Sequence, residues 1–386
     1  MTRLRRTATA TAVLALVLPL PIAGVASAAP RPAPVASTST ATHLALPRPT
    51  GTHAVGREVL HLVDRNRQDP WVPSAGPRQL MVSMYYPARP HSGTSARYMT
   101  MEEARDLLKK VPQTPVSPEV LSHTRTWAQA GARPERGRFP LVVLSPGFGM
   151  QRATLTGLAT ELTSHGYIVA LIDHTYENAG ETLPDGKTLT CDLCGHMPAD
   201  PGDVARSRAK DVSFVLDELT GRHPAWRYAG LIDKKRIGMA GHSIGGAASA
   251  STMAADKRVR AGADLDGTFV DPVPENGLDG RPFLMVGHPL PGGHEDNTWT
   301  EGWSRLNGWK RWITVAGTVH MSFTDIGVLA EQAGVPAPGG GLSGLRGEQI
   351  TRAYVAAFFD QHLKGERQRL LDGPSPAYPE VTFHGR

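Results

Sequence analysis

Cysteine is nearly absent. The 386 residues contain two, Cys191 and Cys194, too few to complete a Cys-rich zinc site or a disulfide framework that could replace a core. No basic stripe with interleaved aromatic residues occurs, which excludes nucleic acid as a partner. The formal charge of +5 does not contradict this, since Arg3, Arg5 and Arg6 sit in an N-terminal leader whose loss brings it to +2. Long apolar runs are missing apart from one between Ala10 and Val25. There is no internal repeat and no second segment with a core of its own.

That single run follows the arginines and ends in Ala26-Ser27-Ala28. A basic head, a short apolar body and a small-residue end read as a secretory signal peptide over residues 1–28, cut after Ala28. Pro19 and Pro21 interrupt the run, it is short for a membrane span, and no cysteine follows it to carry a lipid. The mature chain is therefore expected to be secreted and extracellular. Residues 29–50, rich in Pro, Ala, Ser and Thr, read as a disordered leader. Residues 51–386 read as one domain with an insertion at about 175–202. In an exported chain, Cys191-Asp192-Leu193-Cys194 reads as a local disulfide pinning that insertion rather than as a redox motif.

Within the domain, strand patterns alternate with helical ones. Val59–Val63 and Gln79–Tyr86, the latter ended by Pro87, form an antiparallel start to a sheet. Thr100-Met101-Glu102-Glu103 is a capping box, and Met101, Ala104, Leu107, Leu108 and Val111 share the face of the helix it opens. That face leaves room for a transient lipid-interface contact, but it lacks Trp or Phe, so packing on the core is favoured. Leu141-Val142-Val143-Leu144 and Tyr167–Ile172 are unbroken apolar runs, as buried parallel strands require. Helices are expected over about 152–164, 203–219 and 347–363, and further strands end near Asp266, Gly287 and Val315. The pattern predicts an α/β fold, a mostly parallel central sheet with helices on both faces.

The chemistry centres on Gly241-His242-Ser243-Ile244-Gly245, which follows a short apolar strand and precedes a helix. This is the strand–nucleophile–helix pattern of an α/β-hydrolase elbow, in which the glycines permit a sharp turn that exposes the serine hydroxyl. A serine needs a base, and the base an orienting acid, both after later strands in the order Ser, acid, His. Asp266, 23 residues past Ser243, ends the next strand, with Asp264 as the alternative acid. His320 follows the last strand, whereas His288, His294 and His362 suit surface or core roles. The oxyanion donors are expected to be the backbone N–H groups of Ile244 and, in the Gly147-Phe148-Gly149 turn, of Phe148. No metal or cofactor is needed, and no protein partner is expected.

These residues together resemble the secreted platelet-activating factor acetylhydrolase family. The resemblance rests on Gly241–Ala247, the short step to Leu265-Asp266-Gly267, and Gly317-Thr318-Val319-His320 with Phe323-Thr324-Asp325. It extends to His165–Ala170 with Asp173-His174, and to His61–Asp64 before Asp69-Pro70-Trp71. It implies an ester hydrolase working through Ser243, Asp266 and His320 without a metal, on short or oxidised sn-2 acyl chains of phospholipids. Two features depart from the family: Pro146 stands where a histidine is common, and no interfacial aromatic surface is evident. A general lipase or polyester hydrolase with the same triad, and an inactive hydrolase fold used for binding, are the alternative expectations.

Overall fold

The computed structural model describes residues 43–111, 114–335 and 341–385. The expected signal peptide, and the leader up to residue 42, lie outside the described residues. Residues 43–50 correct the leader's boundary. Leu44 and Leu46 are 4% and 1% exposed, packed in a cluster with Leu107, Leu121 and Leu329. Two leucines at a spacing of two share one side of an extended segment, and Leu46 N donates to Arg125 O at 2.9 Å.

In chain order the strands are β1 Ala54–Gln68, β2 Pro77–Ala88, β3 Thr94–Ser95, β4 Ala128–Ala130, β5 Phe139–Ser145, β6 Ile168–His174, β7 Glu181–Thr182, β8 Thr188–Leu189, β9 Ile232–His242, β10 Val259–Leu265, β11 Phe283–Gly287, β12 Lys310–Val315 and β13 Val381–His384. Eleven of them form one sheet in the order β13-β12-β11-β10-β9-β5-β6-β2-β1-β4-β3. The six from β12 to β6 run parallel. As expected, β1 and β2 are antiparallel, pairing Leu60 with Val82, but both are longer than their apolar stretches. Pro87 does not end β2; it pairs with Val55.

Alternation along the buried strands divides the apolar side chains between two cores. Leu141 and Val143 enter one, where Val212, Val215 and Leu216 of helix α4 (Gly202–Thr220) and Ala247 and Met253 of α5 (Ile244–Ala255) meet them. Val142 and Leu144 enter the other, against Leu158 and Leu162 of α3 (Thr156–Ser164) and Val355, Phe358 and Phe359 of α8 (Gly344–Phe359). Each fully buried side chain of this kind contributes about 1.5–3 kcal/mol, which makes the sheet the rigid frame of the site. Helix α8 starts three residues earlier than the apolar pattern suggests because Ser343 caps it, accepting from Arg346 N.

The helix α1 (Met101–Leu108) opens with the expected capping box from Thr100 and Glu103. Ala104 and Leu107 are buried, whereas Val111 beyond its end is 46% exposed. Within the insertion, β7 and β8 form a small hairpin, and the Sγ atoms of Cys191 and Cys194 lie at bonding distance, 2.06 Å. Helices α2 (Pro118–Ser122), α6 (Asn297–Arg305) and α7 (Asp325–Gln332), and the antiparallel edge strand β13, are additions to the sequence-based outline. Among the described residues, no helix is long and apolar enough to cross a membrane.

Candidate active site

The parallel strands all end on one edge, and that edge collects the polar side chains. Strand β9 runs directly into Ser243, whose φ of 56° and ψ of −129° lie where only a firmly held turn keeps a non-glycine residue. The turn has no room for more atoms: a Cβ on Gly245 would lie 2.1 Å from Ser145 O. Ser243 N donates to Leu265 O at 2.8 Å, tying the elbow to the end of β10.

His320 bridges the site. Its Nε2 lies 3.0 Å from Ser243 Oγ, and its Nδ1 lies 2.5 Å from Asp266 Oδ2. The imidazole is 46% exposed and Asp266 only 7%, so the acid is shielded while the base faces the cleft. Burial pushes the Asp266 carboxyl up, but hydrogen bonds from His288 and His320 outweigh it and hold the group at about 2. It is therefore an anion at any working pH. Asp264 lies deeper, under α5, where it accepts from Gly267 N at 2.8 Å. Burial raises its carboxyl well above the ordinary range, and it does not reach His320. Position decides between them: Asp264 is still in the ladder, whereas Asp266 is past it with φ of 65°.

His288 overturns the expectation that it serves only surface or core. It follows β11, and its Nδ1 lies 2.7 Å from Asp266 Oδ2. The missed signal is its place as the first residue past a parallel strand, the edge where such sheets carry their sites. The other two histidines behave as expected. His294 is exposed, and His362 packs 4.3 Å from the Trp309 ring. The elbow's own His242 is buried; burial and the neighbouring His320 ring hold it down at about 4. As a neutral ring, it donates from Nε2 to His320 O at 2.8 Å and steadies the loop that carries the base.

The turn after β5 is held from below by charges that the sequence does not mark. Arg208 of α4 donates to Pro146 O and, at 3.1 Å, to Ser145 Oγ. Its Nε donates to Glu177 Oε2 at 2.7 Å, and Glu177 O accepts from Gly149 N at 2.7 Å. The same pair therefore grips both ends of the turn. Gly149 N, Met150 N, Gly246 N and Ala247 N all have acceptors. Among the described residues, the Phe148 and Ile244 N–H groups have no such acceptor.

Among the described residues, two sets of side chains have the spacing to hold a metal, Asp266 with His288 and His320, and His174 with Glu177 and Asp211. In the second, the Arg78 and Arg208 guanidinium groups already occupy the carboxylates, which opposes a further cation. A cavity of about 280 Å³ is lined by Asp266, His288 and His320 together with Trp299 and Trp312. Another, about 210 Å³, is lined by Met150, Met321, Leu107, Leu108, Ile326 and Leu329.

The two aspartates give a direct test. Asp266→Asn removes the anion and reverses the preferred imidazole tautomer, so kcat on a p-nitrophenyl ester should fall about 10⁴-fold. Asp264→Asn changes a buried carboxyl that bonds Gly267 N and not His320, so kcat should stay near wild type. The opposite ranking would transfer the acid role to Asp264.

Comparison with known proteins identifies the family. The chain matches the family described as platelet-activating factor acetylhydrolase, isoform II, over residues 38–185 and 218–334. It is 28% identical over 371 residues to a probable 1-alkyl-2-acetylglycerophosphocholine esterase of Arthroderma benhamiae, covering 88% of this chain and 93% of that protein. It is 24% identical to the platelet-activating factor acetylhydrolase of Cavia porcellus, over 49% of each chain. Among solved structures, a ferulic acid esterase from Streptomyces cinnamoneus superposes with a TM-score of 0.80 at 44% identity, covering 89% of this chain and 99% of that one. The fold is that of the α/β-hydrolases, the enzyme class is carboxylic ester hydrolase, and the chain belongs to the platelet-activating factor acetylhydrolase family.

Proposed function

We propose that the chain is a secreted serine esterase whose preferred substrates are glycerophospholipids with a short sn-2 acyl chain. The observation that carries the reading is the hydrogen-bonded line from Ser243 through His320 to Asp266. His320 Nε2 takes the Ser243 proton as Oγ attacks the ester carbonyl. Phe148 and Ile244 N–H groups stabilise the oxyanion, a contribution of about 3–4 kcal/mol for one such donor. The proton then passes from His320 to the departing alcohol, and water activated by the same nitrogen releases the acyl group. The apolar cavity lined by Met150 and by Met321, which follows His320 in the chain, supports a lipid substrate through its methionine and leucine surface. The N-terminal segment and the Cys191–Cys194 pair support export.

A second reading is hydrolysis of hydroxycinnamate esters, favoured by the 44% identity to a ferulic acid esterase. The test uses protein recovered from culture medium, where its N-terminus should read Ala29. A panel of short-acyl phospholipid, methyl ferulate, tributyrin and polyester film should give a kcat/KM highest for the phospholipid by about tenfold or more. Preference for methyl ferulate would install the second reading. A protein that turns over no ester and leaves Ser243 unlabelled by a fluorophosphonate would be a binding protein on a hydrolase fold.

A further inference from the structure

We propose that His288 is a positioning residue for this reaction, a second histidine that clamps Asp266 and sets the pH range over which the Asp266–His320 pair works. The inference rests on the triad reading above and extends it by one residue.

The case begins with Asp266 itself. It stands past the end of β10 at φ of 65°, so the ladder does not dictate where its carboxylate points. The end of β11 supplies that constraint. Asp266 N donates to Val286 O at 2.8 Å, and His288 N donates to Asp266 Oδ1 at 2.8 Å. The His288 ring completes the grip, with Nδ1 2.8 Å from Oδ1 and 2.7 Å from Oδ2. Oδ2 is also the atom that faces His320 Nδ1, at 2.5 Å. Two imidazoles therefore share one carboxylate oxygen, with ring centroids 6.2 Å apart.

Sharing has an electrostatic consequence. The His288 side chain is 21% exposed and borders the 280 Å³ cavity, so water and protons reach it. Asp266 and His320 face it from the ends of β10 and β12, His294, Glu295 and Asp296 from the following loop, and His384 from β13. The hydrogen bond to Asp266 raises His288 above the ordinary imidazole value, against the pull of burial. As pH falls, His288 becomes a cation and competes with an imidazolium at His320 for the same anion. That sharing extends activity toward acid. Without a titrating group at 288, Asp266 serves His320 alone, and the acidic limb of kcat/KM moves to higher pH.

The experiment compares wild type, His288→Ala and His288→Asn on a p-nitrophenyl ester, with melting curves to verify folding. Asparagine places a neutral N–H donor close to the position of Nδ1. His288→Ala should lower kcat by about 10–100-fold with KM little changed. His288→Asn should recover most of that loss on the alkaline plateau. Both should move the acidic limb upward by about one pH unit. Should alanine fail to fold, the limb shift in the asparagine variant still decides. A wild-type profile in either folded variant, or equal losses in both with the limb unmoved, would overturn the proposal. Fluorophosphonate labelling of Ser243 in wild type separates the two levels. If wild type does not label, the triad reading fails; if it labels and the His288 variants keep the wild-type pH profile, only the role of His288 fails.

Discussion

Replacing Ser243 with alanine should lower kcat by about 10⁵–10⁶-fold without unfolding the protein. The hydroxyl is the atom at hydrogen-bond distance from His320 Nε2, and no other side chain stands in for it. His320→Ala should cost a similar factor, and the double variant little more than either single one, because the two groups act as a unit. A residual rate above that in water should persist, since the Phe148 and Ile244 donors are backbone groups that neither change removes. Melting temperature should barely move, because alanine meets the same left-handed backbone penalty at φ of 56°. Ser243→Gly, which relieves that strain, should be more stable by about 1 kcal/mol while equally inactive. Esterase activity in Ser243→Ala within tenfold of wild type would overturn the assignment.

The largest stability effect is expected at Arg78, away from the reacting atoms. Its guanidinium is fully buried among three carboxylates. Nη1 donates to Asp69 Oδ2 at 2.9 Å, and Nη2 to Asp211 Oδ2 at 2.7 Å and to Glu177 Oε1 at 3.3 Å. Arg78→Met keeps much of the volume but strands the acids, and should cost about 3–5 kcal/mol in urea unfolding. The pH dependence identifies the cause. Burial pushes the Asp211 carboxyl up, yet the charge of Arg78 and the bond from His174 hold it well below the ordinary range. A depressed carboxylate contributes stability that is complete above the unfolded value of about 4 and is lost as pH falls toward the folded one. With Arg78 gone, Asp211 binds its proton at higher pH, so the variant's deficit should be larger at pH 8 than at pH 5. A deficit independent of pH would mean lost packing instead. Because Glu177 and Asp211 connect through Arg208 and His174 to Ser145 and Pro146, kcat should fall too.

How far the site was legible follows from the range of each interaction. The elbow was readable because its demands are local. A strand, two glycines around a serine and a helix must be contiguous in sequence to make the turn. Asp266 and His320 were readable because parallel strands deliver their next residue to the same edge. Asp264 remained an alternative because spacing alone does not show where the ladder stops. The leader was drawn too long because its composition hides Leu44 and Leu46, whose partners lie in α1, α2 and α7.

Arg208 and Arg78 were not legible, whereas His288 carries the same signal as Asp266, the first position past a parallel strand. Each arginine acts on a residue far away in sequence: Arg208 is 62 positions from Pro146, and Arg78 is 133 from Asp211. Taken alone, the chain determined its fold, the family it belongs to and which serine and histidine come together, because those follow from motifs and from the period of apolar residues. Only the tertiary structure decided which aspartate meets His320, that a second histidine shares it, and that a buried cluster of arginines and acids holds the turn after β5. Those outcomes depend on burial and on charges meeting across strands, which no stretch of sequence contains by itself.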